Sequence, residues 1–265
     1  MIKKVGITGA GGLVGMDLSA GLADKYELTL FYRNSKPDES VKAKKVKADF
    51  ADEKQVKGLF TGLDAVIHLA AASKVDSTWD QVLHENIIGA HNMFEEAVRA
   101  GVKKVVFAST NHTQHAYTMA TDPKTEDLTY IKEHGLIKLT DAPAPDSLYG
   151  VSKLFGEDLG RYYARFFGLK VVSLRIGWAI SGIDPAQVMQ ESKPAQDHLR
   201  VLYLSKRDLI EATEKALNID ISYLVAYAVS DNVPAVFDLK ETKEKLGYIP
   251  KDNSQLFLAQ FKSKS

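Results

Sequence analysis

Apolar positions along this 265-residue chain fall into two alternating rhythms. Short runs rich in β-branched residues occupy 4–8, 28–32, 45–48, 65–70, 104–109 and 170–176. Longer stretches with apolar residues three and four apart cover 52–60, 79–100 and 148–167, and this spacing predicts helices. Runs such as "AVIHLA" and "VVFAS" are apolar throughout, as expected of strands buried on both faces of a parallel sheet. Repeated strand–helix units predict an α/β, doubly wound parallel sheet with right-handed crossovers. Nearer the carboxyl end, a helix is expected over 205–217 and a strand near 224–229. Two segments, 116–146 and 178–203, break the rhythm. Both follow carboxyl ends of strands, where open α/β sheets bind ligands, and they read as lids or binding loops.

Composition narrows the class. Hydrophobic residues make up 45 % of the chain, enough for a substantial core, and no linker or internal repeat divides it. Lys+Arg and Asp+Glu are both 34, which argues against a nucleic-acid or anionic-membrane binder and for a small-molecule protein. There is no cysteine, hence no disulfide framework, thiolate nucleophile or cysteine zinc site. The opening "MIKKVGITGAGGLVG" runs directly into a strand and lacks the apolar region of a signal peptide, so a cytoplasmic protein is expected.

The first strand ends in "TGAGGLVG", with Gly9, Gly12 and Gly15 at three-residue spacing. Glycine permits a tight turn and close backbone approach to a pyrophosphate, whose charge then sits at a helix amino terminus. The position between strand and helix makes dinucleotide binding the preferred reading. An acidic partner for the adenosine ribose is expected about 20 residues on. The sequence there is "LTLFYRNSKP", placing Tyr32 and Arg33 where a carboxylate would stand. Arg33, Asn34, Ser35 and Lys36 suit a 2′-phosphate, so NADP is favoured and NAD possible.

"SLYGVSK" sets Tyr149 and Lys153 four residues apart, on one face of the predicted helix. Tyr32 and Lys36 share that spacing, so it does not by itself mark catalysis. His112 and His115 form an HxxH pair on an expected loop with no evident third ligand, and no metal is predicted. His68 falls in a buried strand and reads as a satisfied core residue.

Taken in order, "TGAGGLVG", Asp49, "HLAA", "ENIIG", "FASTNH", "YGVSK" and "LRIG" resemble the extended short-chain dehydrogenase/reductase family, the NAD-dependent epimerase/dehydratases. The resemblance spans most of the chain. It implies a Rossmann fold in one domain, 1–265, with about 1–170 as the dinucleotide-binding core and 171–265 mainly a small carboxy-terminal substrate lobe. It implies a coenzyme site of Gly9, Gly12, Leu13, Val14, Gly15, Tyr32, Arg33, Asp49, Phe50, Leu69, Ala70, Ala71, Asn86, Ser109, Tyr149, Lys153 and Ile176. It also implies catalysis by Tyr149, Lys153 and Thr110, the last replacing the family's serine while keeping its hydroxyl. An isolated tyrosine titrates near ~10, and a neighbouring ammonium and an oxidised nicotinamide are expected to lower that value.

Within the family the chain looks most like the uronate dehydrogenases and the archaeal short-chain-type glucose-6-phosphate dehydrogenase. The implied reaction is hydride transfer from the anomeric carbon of a hexose 6-phosphate or uronate-like sugar to NAD(P), giving a lactone. Ser73, Asn111, His112, Thr110, Tyr149, Gly177 and Trp178 are the expected substrate contacts, with Lys74, His198 or Arg200 anchoring an anion. A homodimer through the 79–100 and 148–167 helices is expected. The alternatives are a nucleotide-sugar epimerase or dehydratase and a non-catalytic dinucleotide-sensing regulator; the intact Thr110, Tyr149 and Lys153 set disfavours the regulator.

Overall fold

A computed structural model describes residues 2–119, 126–180 and 193–262. Its centre is a seven-stranded, wholly parallel sheet. The strands are β1 (Lys4–Thr8), β2 (Glu27–Tyr32), β3 (Lys44–Lys47), β4 (Ala65–His68), β5 (Lys104–Thr110), β6 (Lys170–Ile176) and, after a short β7–β8 pair (Trp178–Ala179, Tyr203–Leu204), β9 (Tyr223–Ala228). Their spatial order is β3-β2-β1-β4-β5-β6-β9. The order reverses between β1 and β4, and a crevice opens there at the carboxyl ends of both strands, the preferred ligand position in such sheets. The sheet continues past residue 170, because β6 and β9 complete it. Residues 171–265 therefore supply part of the core as well as the outlying β7–β8 pair and the helices Lys193–Leu202 and Ser254–Lys262.

The continuous apolar strands are explained by two cores, one on each face of the sheet. One gathers Ile7, Leu30, Ile67 and Leu174 against the helices Leu13–Leu22 and Lys206–Asn218. The other gathers Phe31, Phe60, Phe94, Phe107 and Tyr163 beneath the helices Gly89–Arg99 and Leu148–Phe167. Among the described residues no helix is long and apolar enough to cross a membrane.

Three predicted elements differ in detail. The helix expected over 52–60 is one turn, Glu53–Val56, because Lys57 turns extended and Gly58 takes a positive φ of 86°. The helix over 79–100 is broken into Trp79–Gln81, a π-helical stretch Val82–Ile88 and Gly89–Arg99. Such π segments frequently occur at functional sites. The 116–146 segment is partly ordered by the helix Thr129–His134, and its end is pinned by backbone pairing of Ala144 with Thr113. Residues 120–125 and 181–192 of the two loops lie outside the described residues.

Candidate active site

The loop after β1 is shaped by Gly9. Its φ is +66°, and a Cβ there would lie 2.8 Å from the Ala70 amide nitrogen, so only glycine lets β1 and β4 end side by side. Thr8 completes the junction. Its Oγ1 accepts from the Leu69 and Ala70 amides at 3.1 Å and lies 2.9 Å from His68 Nδ1. Because that oxygen already accepts two bonds, its proton is free to serve the ring nitrogen. Burial lowers the His68 pKa to about 3, keeping it neutral. His68 is thus the satisfied core residue expected. The helix Leu13–Leu22 begins immediately after this loop, with Gly12 as its N-cap, and its free amides offer the positive end that a pyrophosphate requires.

That helix end borders a cavity of about 1090 Å³. Every predicted coenzyme, catalytic and substrate residue lines it except Asn86, Lys74 and Arg200. Asn86 acts from behind: its side chain accepts from the Ala72 amide at 2.7 Å and donates to the Ala72 carbonyl and to Ser152 Oγ, fixing the chain after β4. Lys74 is exposed, and Arg200 lies 3.6 Å from Asp197. Neither predicted anion anchor reaches the wall. His198 does.

At the other end of the wall, Arg33 is held by Glu85 at 2.8 Å and approaches Asp49 to 3.7 Å. Sequence reading placed Arg33 as a free cation for a 2′-phosphate; its guanidinium instead already has carboxylate partners. Glu85 was missed, because it is distant in sequence and is brought to Arg33 only by the π-helical stretch.

The catalytic group assembles on the helix Leu148–Phe167, capped by Ser147, whose Oγ accepts from the Gly150 amide at 3.1 Å. A Cβ on Gly150 would fall 2.4 Å from the His112 carbonyl oxygen. Glycine there lets the turn after β5 close over the helix start, so that Thr110 and Tyr149 line the same cavity. Burial is the largest influence on Tyr149 and pushes its phenol up to about 12, against the Thr110 hydroxyl, which lowers it. Lys153, one turn on, is 5.9 Å from the Tyr149 ring centre and 4.7 Å from that of Phe107. Burial drops its ammonium to about 7, opposed by the Glu157 charge. Burial alone therefore leaves the phenol weakly acidic, while the expected lowering includes the charge of a bound oxidised nicotinamide.

Beneath these groups lies a polar network that no sequence motif announced as such. Glu157 accepts from Ser109 Oγ at 2.5 Å and from Arg175 Nε and Nη2, both at 2.9 Å. Arg175 Nη1 and the Tyr227 hydroxyl both donate to Gln114 Oε1. The signal was present as the fourth residue after Lys153 and as the arginine of "LRIG", but its pairing required the fold.

The HxxH histidines are likewise not isolated. His112 Nδ1 and His115 Nδ1 both meet Asp146 Oδ2, at 2.6 and 2.7 Å. His115 Nε2 and His198 Nδ1 both meet Glu126 Oε1, at 2.8 and 2.6 Å. The structure thus supplies the further ligands that the sequence did not reveal, grouped as metal sites are. The contacts are also those of donated imidazole protons, so the groups hydrogen-bond one another. His115, with a carboxylate on each ring nitrogen, is raised to about 9 by those bonds despite the larger opposing effect of burial. Its partner Glu126 is lowered to about 2 by His115 and His198, also against burial.

This pairing has a pH signature. The raised His115 value makes its stabilisation complete below about pH 6.5, the ordinary imidazole range, and progressively lost as pH rises toward about 9. His115→Ala should lower the melting temperature at pH 6 and flatten its decline between pH 6.5 and 9. Thermal unfolding across that range checks this; an unchanged alkaline slope contradicts the imidazolium assignment.

Comparison with known proteins agrees with this architecture. The family model described as the NAD dependent epimerase/dehydratase family matches residues 5–193. An L-arabinose 1-dehydrogenase (NAD(P)(+)) of Haloferax volcanii is 36% identical over 96% of this chain and 98% of its own. An NAD-dependent glucose-6-phosphate dehydrogenase of the same organism is 37% identical over 97% and 96%. Among solved structures, a glucuronic acid dehydrogenase from Chromohalobacter salexigens superposes with a TM-score of 0.81 at 27% identity, covering 100% of this chain and 90% of that one. With a family model covering most of its length and relatives aligned nearly end to end, the chain belongs to the NAD dependent epimerase/dehydratase family.

Proposed function

We propose that this protein is an NAD(P)-dependent aldose 1-dehydrogenase that oxidises the anomeric carbon of a sugar to a lactone. The observation that carries the reading is the convergence of Thr110, Tyr149 and Lys153 in one cavity with the Gly9 loop and the helix amino terminus. The relatives' names point the same way. The loop and helix end suit the dinucleotide's pyrophosphate, and Lys153 faces the place of its nicotinamide ribose. An oxidised nicotinamide, when bound, would supply the acceptor for the hydride of the anomeric carbon, and its positive charge would favour the phenolate.

The chain's own residues manage the proton. Thr110 and Tyr149 hold the anomeric hydroxyl, and the Tyr149 phenolate removes its proton as the carbon–oxygen double bond forms. The sugar loses one proton and one hydride, so the products balance as lactone, reduced coenzyme and a proton on Tyr149. Asn111 adds a binding group: its Nδ2 is buried without a hydrogen-bond partner beside the catalytic pair. A buried unpaired donor costs about 1–3 kcal/mol, which a sugar oxygen would offset. Ser73, His112, Gly177 and Trp178 offer the remaining sugar contacts.

The substrate best suited to this wall is an uncharged aldose. Among the described residues, Lys153 is the sole lysine or arginine lining the catalytic end. The imidazoles there are committed to Asp146 and Glu126. A sugar phosphate or uronate would therefore find only Lys153 as a lysine or arginine at this end among the described residues. A cytoplasmic setting, with its dissolved NAD(P), suits this reaction.

The protein should reduce NAD(P) with neutral pentoses or hexoses at a kcat/KM at least tenfold above that with glucose 6-phosphate or glucuronate. One equivalent of lactone or aldonate should form per reduced coenzyme, read by absorbance and NMR together. Tyr149→Phe should cut turnover by roughly 10²–10⁴-fold, the usual scale of general acid–base catalysis. Nucleotide-sugar inversion without net reduction would defeat the reading, and preference for a charged sugar would defeat its substrate class.

Assembly as a homodimer is also proposed. The helix Leu148–Phe167 presents exposed Val151, Phe155, Tyr162 and Phe166, and Trp79 is exposed at the start of the other predicted interface helix. Large apolar side chains on paired helices suit a two-fold contact. Light scattering at micromolar concentration should give twice the 29.2 kDa chain mass; a monomer there contradicts the proposal.

A further inference from the structure

We propose that Glu85 is a coenzyme-selecting residue that holds Arg33 away from a 2′-phosphate and so biases the site toward NAD. The inference rests on the dinucleotide-site reading and adds a specific discriminating group to it.

Arg33 directly follows the second strand, on the wall where the adenosine ribose belongs. Its Nη2 is 2.8 Å from Glu85 Oε1, and its Nη1 is 3.7 Å from Asp49 Oδ2. Hydrogen bonding to Glu85 is also the largest influence holding the guanidinium above its ordinary pKa. One cation between two carboxylates leaves a net charge of about −1 at this end. A phosphomonoester brings about −1.5 to −2 at neutral pH. To use Arg33, it must displace Glu85 and then sit beside two carboxylates, one of them newly unpaired. A 2′-hydroxyl brings no charge and donates to a carboxylate.

Glu85 is not a chance surface partner. It lies in the π-helical stretch Val82–Ile88, immediately before the buried Asn86. Asn86 is tied by three hydrogen bonds to Ala72 and Ser152, so the backbone that aims Glu85 is anchored on both the coenzyme loop and the catalytic helix. The Glu85 side chain is 22 % exposed, and both carboxylates of the pair line the cavity. The usual device for this discrimination is a carboxylate at the end of the second strand. Here that place is Tyr32–Arg33, and the carboxylate arrives from a different element.

The test is direct dinucleotide binding by isothermal titration calorimetry, with NAD and NADP titrated separately into the full-length protein. Glu85→Gln keeps the size of the side chain and removes its charge. It should raise affinity for NADP relative to NAD by at least tenfold over the parent. The gain should disappear when Arg33→Ala is added, because the freed guanidinium is its source. An unchanged NADP-to-NAD ratio in a Glu85→Gln protein that binds NAD normally overturns the proposal alone. A gain that survives Arg33→Ala also overturns it. Failure of the parent to bind either dinucleotide removes the site reading and this proposal together.

Discussion

The buried pairing of Arg175 with Glu157 is the contact on which the catalytic geometry depends. The two guanidinium–carboxylate bonds at 2.9 Å join β6 to the long helix, and both side chains are almost fully enclosed. Removing either partner would strand a buried charge, at a cost of about 3–5 kcal/mol. The same carboxylate accepts from Ser109, next to Thr110, while Arg175 reaches Gln114 in the turn that follows. One ion pair therefore fixes the strand bearing the hydroxyl, the helix bearing Tyr149 and Lys153, and the base of the substrate loop. Bidentate geometry matters here because it sets orientation as well as distance.

From that anchor the cavity acquires two different electrostatic ends. At the sugar end, two carboxylates and three imidazoles are engaged with one another in hydrogen-bonded contacts, leaving Lys153 as the one lysine or arginine there among the described residues. At the adenosine end, Arg33 is similarly occupied. In both places basic side chains that look available in sequence are already paired in space, and the pairing determines what charge the site tolerates in a ligand.

Much of the fold was legible because its signals are local. Strand runs, helical spacing and the glycine loop each depend on neighbours a few residues apart, and the cavity wall then followed from the parallel topology. The relation of Thr110, Tyr149 and Lys153 was likewise readable through motif order. What escaped was set by contacts between distant segments: Glu85 with Arg33, Glu126 with His115 and His198, Arg175 with Glu157. Lys74 and Arg200 were read as anion anchors on position in the chain, yet exposure and helix placement keep them off the wall. The weak acidity of the Tyr149 phenol also escaped, since spacing reveals the nearby ammonium but not the depth of burial.

The central claim is that hydride leaves the anomeric carbon of a free sugar in this cavity. The most direct measurement uses an aldose carrying deuterium only at C1, incubated with oxidised coenzyme and the protein. Mass spectrometry of the reduced coenzyme should find one deuterium per molecule formed, with turnover slowed relative to the unlabelled sugar wherever hydride transfer limits it. Reduced coenzyme without deuterium would place the oxidation at another carbon and contradict the account.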